Sequence, residues 1–127
     1  MKKEDLVYIC SPLSAPKRSD MKHNMIQAGV YAKMVSAYWE CRAIAPHSFL
    51  PDYLDDTIQQ EREAALEFGL SVLKLCKALV ICGDVISNGM QGEIKRAREL
   101  GIPIYRMVET GISGFILVEE RKEINEM

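Results

Sequence analysis

Ala78-Leu79-Val80-Ile81-Cys82 is an unbroken apolar run, and a few residues later comes Ser87-Asn88-Gly89-Met90-Gln91-Gly92-Glu93. The run reads as a strand covered on both faces, the pattern of a parallel sheet. The second segment opens a helical pattern that stops at Gly101, with Pro103 just beyond. A strand, a glycine-bearing loop and a helix start form the place where open α/β sheets bind ligands. Free backbone N–H groups there favour phosphate and other anions. Glu93 sets a carboxylate beside such a pocket, and a carboxylate so placed can attack or stabilise an electron-poor carbon. Sugar chemistry thereby enters consideration.

The rest of the chain repeats the alternation. Leu6 to Cys10 is a first apolar strand, ended by Ser11-Pro12. Ser19 or Asp20 can cap a helix running to about Cys41, with Met25, Ala28, Ala32, Val35 and Trp39 on one face. Ala43-Ile44-Ala45 is a short second strand closed by Pro46, and His47 to Asp56 is loop-like. Thr57-x-x-Gln60 is a capping-box pattern opening a second helix, whose stripe holds Ile58, Arg62, Ala65, Gly69, Val72 and Cys76. Ile104 to Val108 is a fourth strand, Gly111 to Gly114 a turn and Phe115 to Val118 a fifth strand. The tail, Glu119 to Met127, reads as helical or frayed. The expected fold is α/β: a single doubly wound domain over 1–127, a flavodoxin- or Rossmann-like parallel sheet of four or five strands with helices on both faces.

Composition narrows the function. A net charge of −2 argues against nucleic acid as the main partner, since phosphate backbones are held by clustered Lys and Arg. No apolar run approaches the roughly 20 residues of a membrane span. Met1-Lys2-Lys3-Glu4-Asp5 leads straight into a strand, so a cytoplasmic protein is expected. Cys10, Cys41, Cys76 and Cys82 form no CxxC and no common zinc pattern. They read as reduced and mostly buried, and neither a metal nor a cofactor is expected.

The strand ends gather Ser11, Pro12, His47, Gly83, Asp84, Ser87, Asn88, Gly89, Met90 and Glu93, with Tyr8 inside strand one nearby. GxGxxG, the P-loop and Gly-x-Ser-x-Gly are all absent. Each member has a plain structural reading as well. Glu93 can simply favour the positive end of a helix dipole. Asp84 can shape a turn, His47 can bond to a backbone carbonyl, and Tyr8 can be core. Asp52, Asp55 and Asp56 suit a solvated loop with a helix cap better than a magnesium site.

These residues resemble the nucleoside 2-deoxyribosyltransferase-like superfamily, and within it a small uncharacterised family frequent in phage-derived genes. Val7-Tyr8-Ile9-Cys10-Ser11-Pro12-Leu13 is similar to its first strand, and Asn24, Ala28, Tyr31 and Ala32 to its first helix. Ala45 to Asp56, followed by Glu61-Arg62, is similar to the subgroup's second strand and loop. Ser87-x-Gly89-Met90-x-x-Glu93-x-x-x-Ala97 with Gly101-x-Pro103 resembles the signature around the transferase nucleophile. The resemblance implies Glu93 as nucleophile and Tyr8 as the tyrosine kept near it. It implies that Ser87, Gly89 and the N–H groups of the loop bind a sugar or a 5′-phosphate; Ser11, Pro12, His47, Asp84, Asn88 and Met90 are the other substrate-binding candidates, from their place around the strand ends. The departures are Ser87-Asn88-Gly89-Met90 where the superfamily often has Asp-x-Gly-Thr, and Cys76-Lys77 where the subgroup often has Cys-Asp.

The function expected is cleavage or exchange of the N-glycosidic bond of a nucleoside or nucleoside monophosphate. The alternative is non-catalytic binding of a nucleotide or nucleotide-derived signal on the same scaffold, or a partner-binding role. Met34, Tyr38, Phe68 and Leu75 extend beyond one core stripe, so a homo-oligomer, a dimer or a multiple of one, is also expected.

Overall fold

The computed structural model describes residues 1–121. Its strands are β1 (Leu6–Cys10), β2 (Arg42–Ile44), β3 (Ala78–Ile81), β4 (Ile104–Glu109) and β5 (Phe115–Glu120). They form one sheet in the order β2-β1-β3-β4-β5. The first four are mutually parallel, with Tyr8 opposite Ile44 on one side and Leu79 on the other. Four parallel strands with helices on both faces match the expected fold class, and the fifth strand runs antiparallel to β4, with Arg106 opposite Val118. The link between them is a tight turn, with Gly111 at a φ of 130°, and a connection that short cannot make the crossover a parallel strand requires.

Strand alternation sorts the core into two layers. Val7, Ile9, Ala78, Val80 and Cys82 pack under α1 (Arg18–Trp39), through Ala28 and Val35. Tyr8, Cys10, Leu79 and Ile81 face the other way, against Leu73 of α2 (Gln59–Leu73) and Met90, Ile94 and Ala97 of α3 (Asn88–Glu99). β1 and β3 are buried along almost their whole length, as central strands with helices on both faces must be. All four cysteines are free and buried. Burial pushes the Cys76 and Cys82 thiols up to about 12, so they stay protonated at neutral pH. Among the described residues, no helix is long and apolar enough to cross a membrane.

Several boundaries differ from those read in the sequence. Lys17 is the N-cap of α1, without a side-chain bond, and Ser19 and Asp20 lie inside the first turn. Glu40 closes that helix in the left-handed conformation, at φ 51°. The Thr57 capping box does not form. The Thr57 N–H and hydroxyl instead bond Asp55 at 2.9 and 2.7 Å, and Glu61 accepts the Asp55 N–H at 2.9 Å. The local Asx turn thus satisfies the groups that a box would have used. The segment after β2 is more ordered than a loop, holding two 3-10 turns at Pro46–Ser48 and Leu50–Asp52. Glu119 and Glu120 belong to β5, and the rest of the expected tail, 122–127, lies outside the described residues.

Candidate functional site

The site is built where β1 meets α3. Tyr8 and Cys10 are two residues apart on β1, so both side chains project toward α3. Ser87 caps that helix: its hydroxyl oxygen accepts the Met90 N–H at 3.3 Å, and the Met90 thioether accepts the Ser87 N–H at 3.4 Å. The cap fixes the start of α3, and Glu93 follows in the second turn. A carboxylate so far along gains little from the helix dipole, which acts within the first turn.

Glu93 has two closer partners. The Tyr8 hydroxyl donates to Oε2. The Cys10 thiol donates to Oε1 at 3.6 Å and lies 3.9 Å from the Met90 carbonyl oxygen. Burial raises the proton affinity of Glu93, while His47, Tyr8 and Cys10 each pull it down. Burial, then the charge of Glu93, drives the Tyr8 hydroxyl and the Cys10 thiol far above their ordinary values of 10 and 9. Both therefore remain donors at any working pH. The carboxylate is costly to keep charged and is held by two donors, the environment expected of a group retained for its reactivity.

The other sequence candidates fall into distinct places. His47, in the 3-10 turn after β2, sets Nδ1 2.8 Å from the Ser11 carbonyl oxygen. A carbonyl can only accept, so Nδ1 carries a proton and donates it to Ser11. Ser11 is buried, and its hydroxyl has no partner among the described residues. Pro12 packs on Gly83, where an added Cβ would come within 3.1 Å of it; Gly83 also has φ +98°, so only glycine suits the turn after β3. Met90 is wholly buried, and its side chain belongs to the core and the cap. Asp84, Asn88 and Gly89 are exposed at the rim, and a Cβ at Gly89 would meet nothing within 4 Å.

Two residues were missed. Cys10 reads in the sequence as a reduced, buried thiol, and its i, i+2 spacing from Tyr8 is the signal that places it on the same face. Gly69 of α2 lies against the tyrosine: a Cβ there would sit 3.1 Å from the Tyr8 hydroxyl oxygen. A cleft of about 500 Å³ between α3 and the β4–β5 hairpin, lined by Ile94, Lys95, Arg98, Arg106 and Glu120, does not include Tyr8 or Glu93.

A family model for a domain of unknown function, DUF7768, matches residues 5–107. The chain belongs to that family. The match takes in β1 through most of β4, and so every residue of the site. No curated protein matches the chain. Among solved structures, a 2-deoxyribosyltransferase from Bacillus psychrosaccharolyticus is similar, with a TM-score of 0.60 at 16% identity. The similarity covers 80% of this chain and 70% of that one. At that identity the likeness establishes a shared fold for this DUF7768 member.

Proposed function

We propose that the protein cleaves or exchanges the N-glycosidic bond of a nucleoside or nucleoside monophosphate, with Glu93 as nucleophile. The observation that carries this reading is the Glu93 carboxyl, held by the Tyr8 hydroxyl where α3 packs on the central strand β1. The similar fold of a 2-deoxyribosyltransferase supports it. In the proposed reaction a Glu93 oxygen bonds to the anomeric carbon as the carbon–nitrogen bond breaks. The electron pair leaves with the base, which takes up a proton from solvent. Water or a second base then attacks the same carbon and returns the carboxylate. Tyr8 keeps its proton throughout and orients Oε2.

A binder without chemistry is the second reading. It is favoured by Asp84, the nearest candidate for the aspartates that flank the nucleophile in the transferases the sequence resembles: it is exposed and, among the described residues, is not one of the groups acting on Glu93. One experiment separates the two. The protein is incubated with nucleosides, their monophosphates and NAD-like compounds, and the mixture is read by mass spectrometry. Free or exchanged base supports the enzyme; intact retained ligand supports the binder; neither result leaves both without support. An oligomer remains part of the proposal, because Leu66 and Leu75 of the α2 region are 60% and 71% exposed. A sedimentation mass equal to the monomer's at micromolar concentration would remove it.

A further inference from the structure

Tyr8 and Cys10 offer donors of different strength to the two oxygens of one carboxyl. A phenolic hydroxyl bonded to a carboxylate is a strong, charge-assisted donor, whereas a thiol is a weak one. The thiol also has a second acceptor within reach, the Met90 carbonyl at 3.9 Å. That carbonyl belongs to the first turn of α3, so the thiol touches both the nucleophile and the start of the helix that carries it.

We propose that Cys10 is a positioning residue for Glu93: its thiol holds Oε1 while Tyr8 holds Oε2, which fixes the carboxylate plane and makes Oε1 the attacking oxygen. The proposal rests on the reading of Glu93 as nucleophile. Tyr8 draws negative charge toward Oε2 and keeps that oxygen bonded. Oε1 gives up only a weak partner when it attacks. As the Oε1–carbon bond forms and the carbon–nitrogen bond breaks, the S–H turns fully to the Met90 carbonyl. No buried donor is then stranded, and the thiol neither gains nor loses a proton. Burial keeps that thiol protonated, which separates its role from that of a nucleophilic cysteine.

The test uses the full chain labelled with ¹³C at glutamate carboxyls, the Glu93 resonance being assigned by its loss in Glu93→Gln. Cys10→Ala removes the donor, Cys10→Val removes it while refilling the space, and Cys10→Ser keeps a donor. The titratable groups facing Glu93 are Tyr8 and Cys10 from β1 and His47 from the turn after β2; Tyr8 and His47 stay unchanged in every variant. Glu93 should titrate at higher pH in the Ala and Val variants than in wild type, and Ser should restore or lower the midpoint. Base release should show kcat reduced about 3- to 10-fold in Ala and Val, with KM little changed and Ser recovered. Identical Glu93 titration in all four proteins, or a Ser variant that tracks Ala, overturns the proposal. A shifted midpoint with no base release from any protein keeps the positioning role and removes the glycosyl reading. Base release with an unmoved midpoint does the reverse.

Discussion

The Tyr8 hydroxyl donates to Oε2 of Glu93 from 85 residues away in the chain, joining the first strand of the sheet to the helix beside it. The bond gives the tyrosine its partner and gives the carboxylate a donor in place of water. The testable consequences start from that pair.

Glu93→Gln keeps the shape of the side chain and removes its charge. Base release is expected to fall by about a thousandfold or more, because the substitution removes the proposed nucleophile. Stability should respond to pH. Burial raises the folded-state proton affinity of Glu93 above the ordinary 4.5, so its stabilising contribution is complete below that value. The contribution is lost as pH rises through the raised value. Thermal melts of wild type and Glu93→Gln should therefore diverge in favour of the variant from about pH 4.5 toward neutrality. A difference that stays flat with pH would show that the carboxyl is well hydrated.

Tyr8→Phe removes one of the two donors. The Tyr8 bond lowers the proton affinity of Glu93, so its loss should move the acid limb of the pH–rate profile upward. The rate at its optimum should drop about 10- to 100-fold, the range for a hydrogen bond to a charged group. An acid limb that moves downward would mean that another group controls it.

Gly69→Ala sets helix propensity against the site. Alanine in a helix is worth about 1 kcal/mol over glycine, yet the new Cβ would stand 3.1 Å from the Tyr8 hydroxyl oxygen. The melting curve should stay within about 1 kcal/mol of wild type while base release falls about tenfold. Unchanged activity would show that Tyr8 gives way without disturbing Glu93.

Glu40→Gly relieves the one non-glycine residue with positive φ among those described. Left-handed backbone costs an ordinary residue about 1–2 kcal/mol, part of which the greater freedom of unfolded glycine offsets. A gain of about 0.5–1 kcal/mol in chemical denaturation is expected, with activity unaltered.

Much of this arrangement was legible in the sequence because it rests on local rules. The apolar runs at Leu6 and Ala78 became the central strands, and Ser87 capped the helix that carries Glu93. Less visible features depended on contacts between distant segments. The approach of Gly69 to Tyr8 joins α2 to β1, and no spacing within either element announces it. The direction of β5 followed from a turn too short for a crossover, a length argument that the apolar content of Phe115 to Val118 had hidden. The Thr57 pattern was real as a pattern, but Asp55 sat close enough to take its donors first.

Both groups that hold Glu93 stand on one side of β1, with Val7 and Ile9 on the other. A slip of β1 by one residue against β3 would exchange the two sides. Val7 and Ile9 would then lie beneath the carboxyl, leaving it buried and without a donor, while the hydroxyl and thiol would be pressed into the apolar layer under α1. Such a chain could still look folded by its helix content. The Tyr8–Glu93 bond thus proofreads the alignment of the central strand, and a preparation that has it has passed the test of correct strand pairing.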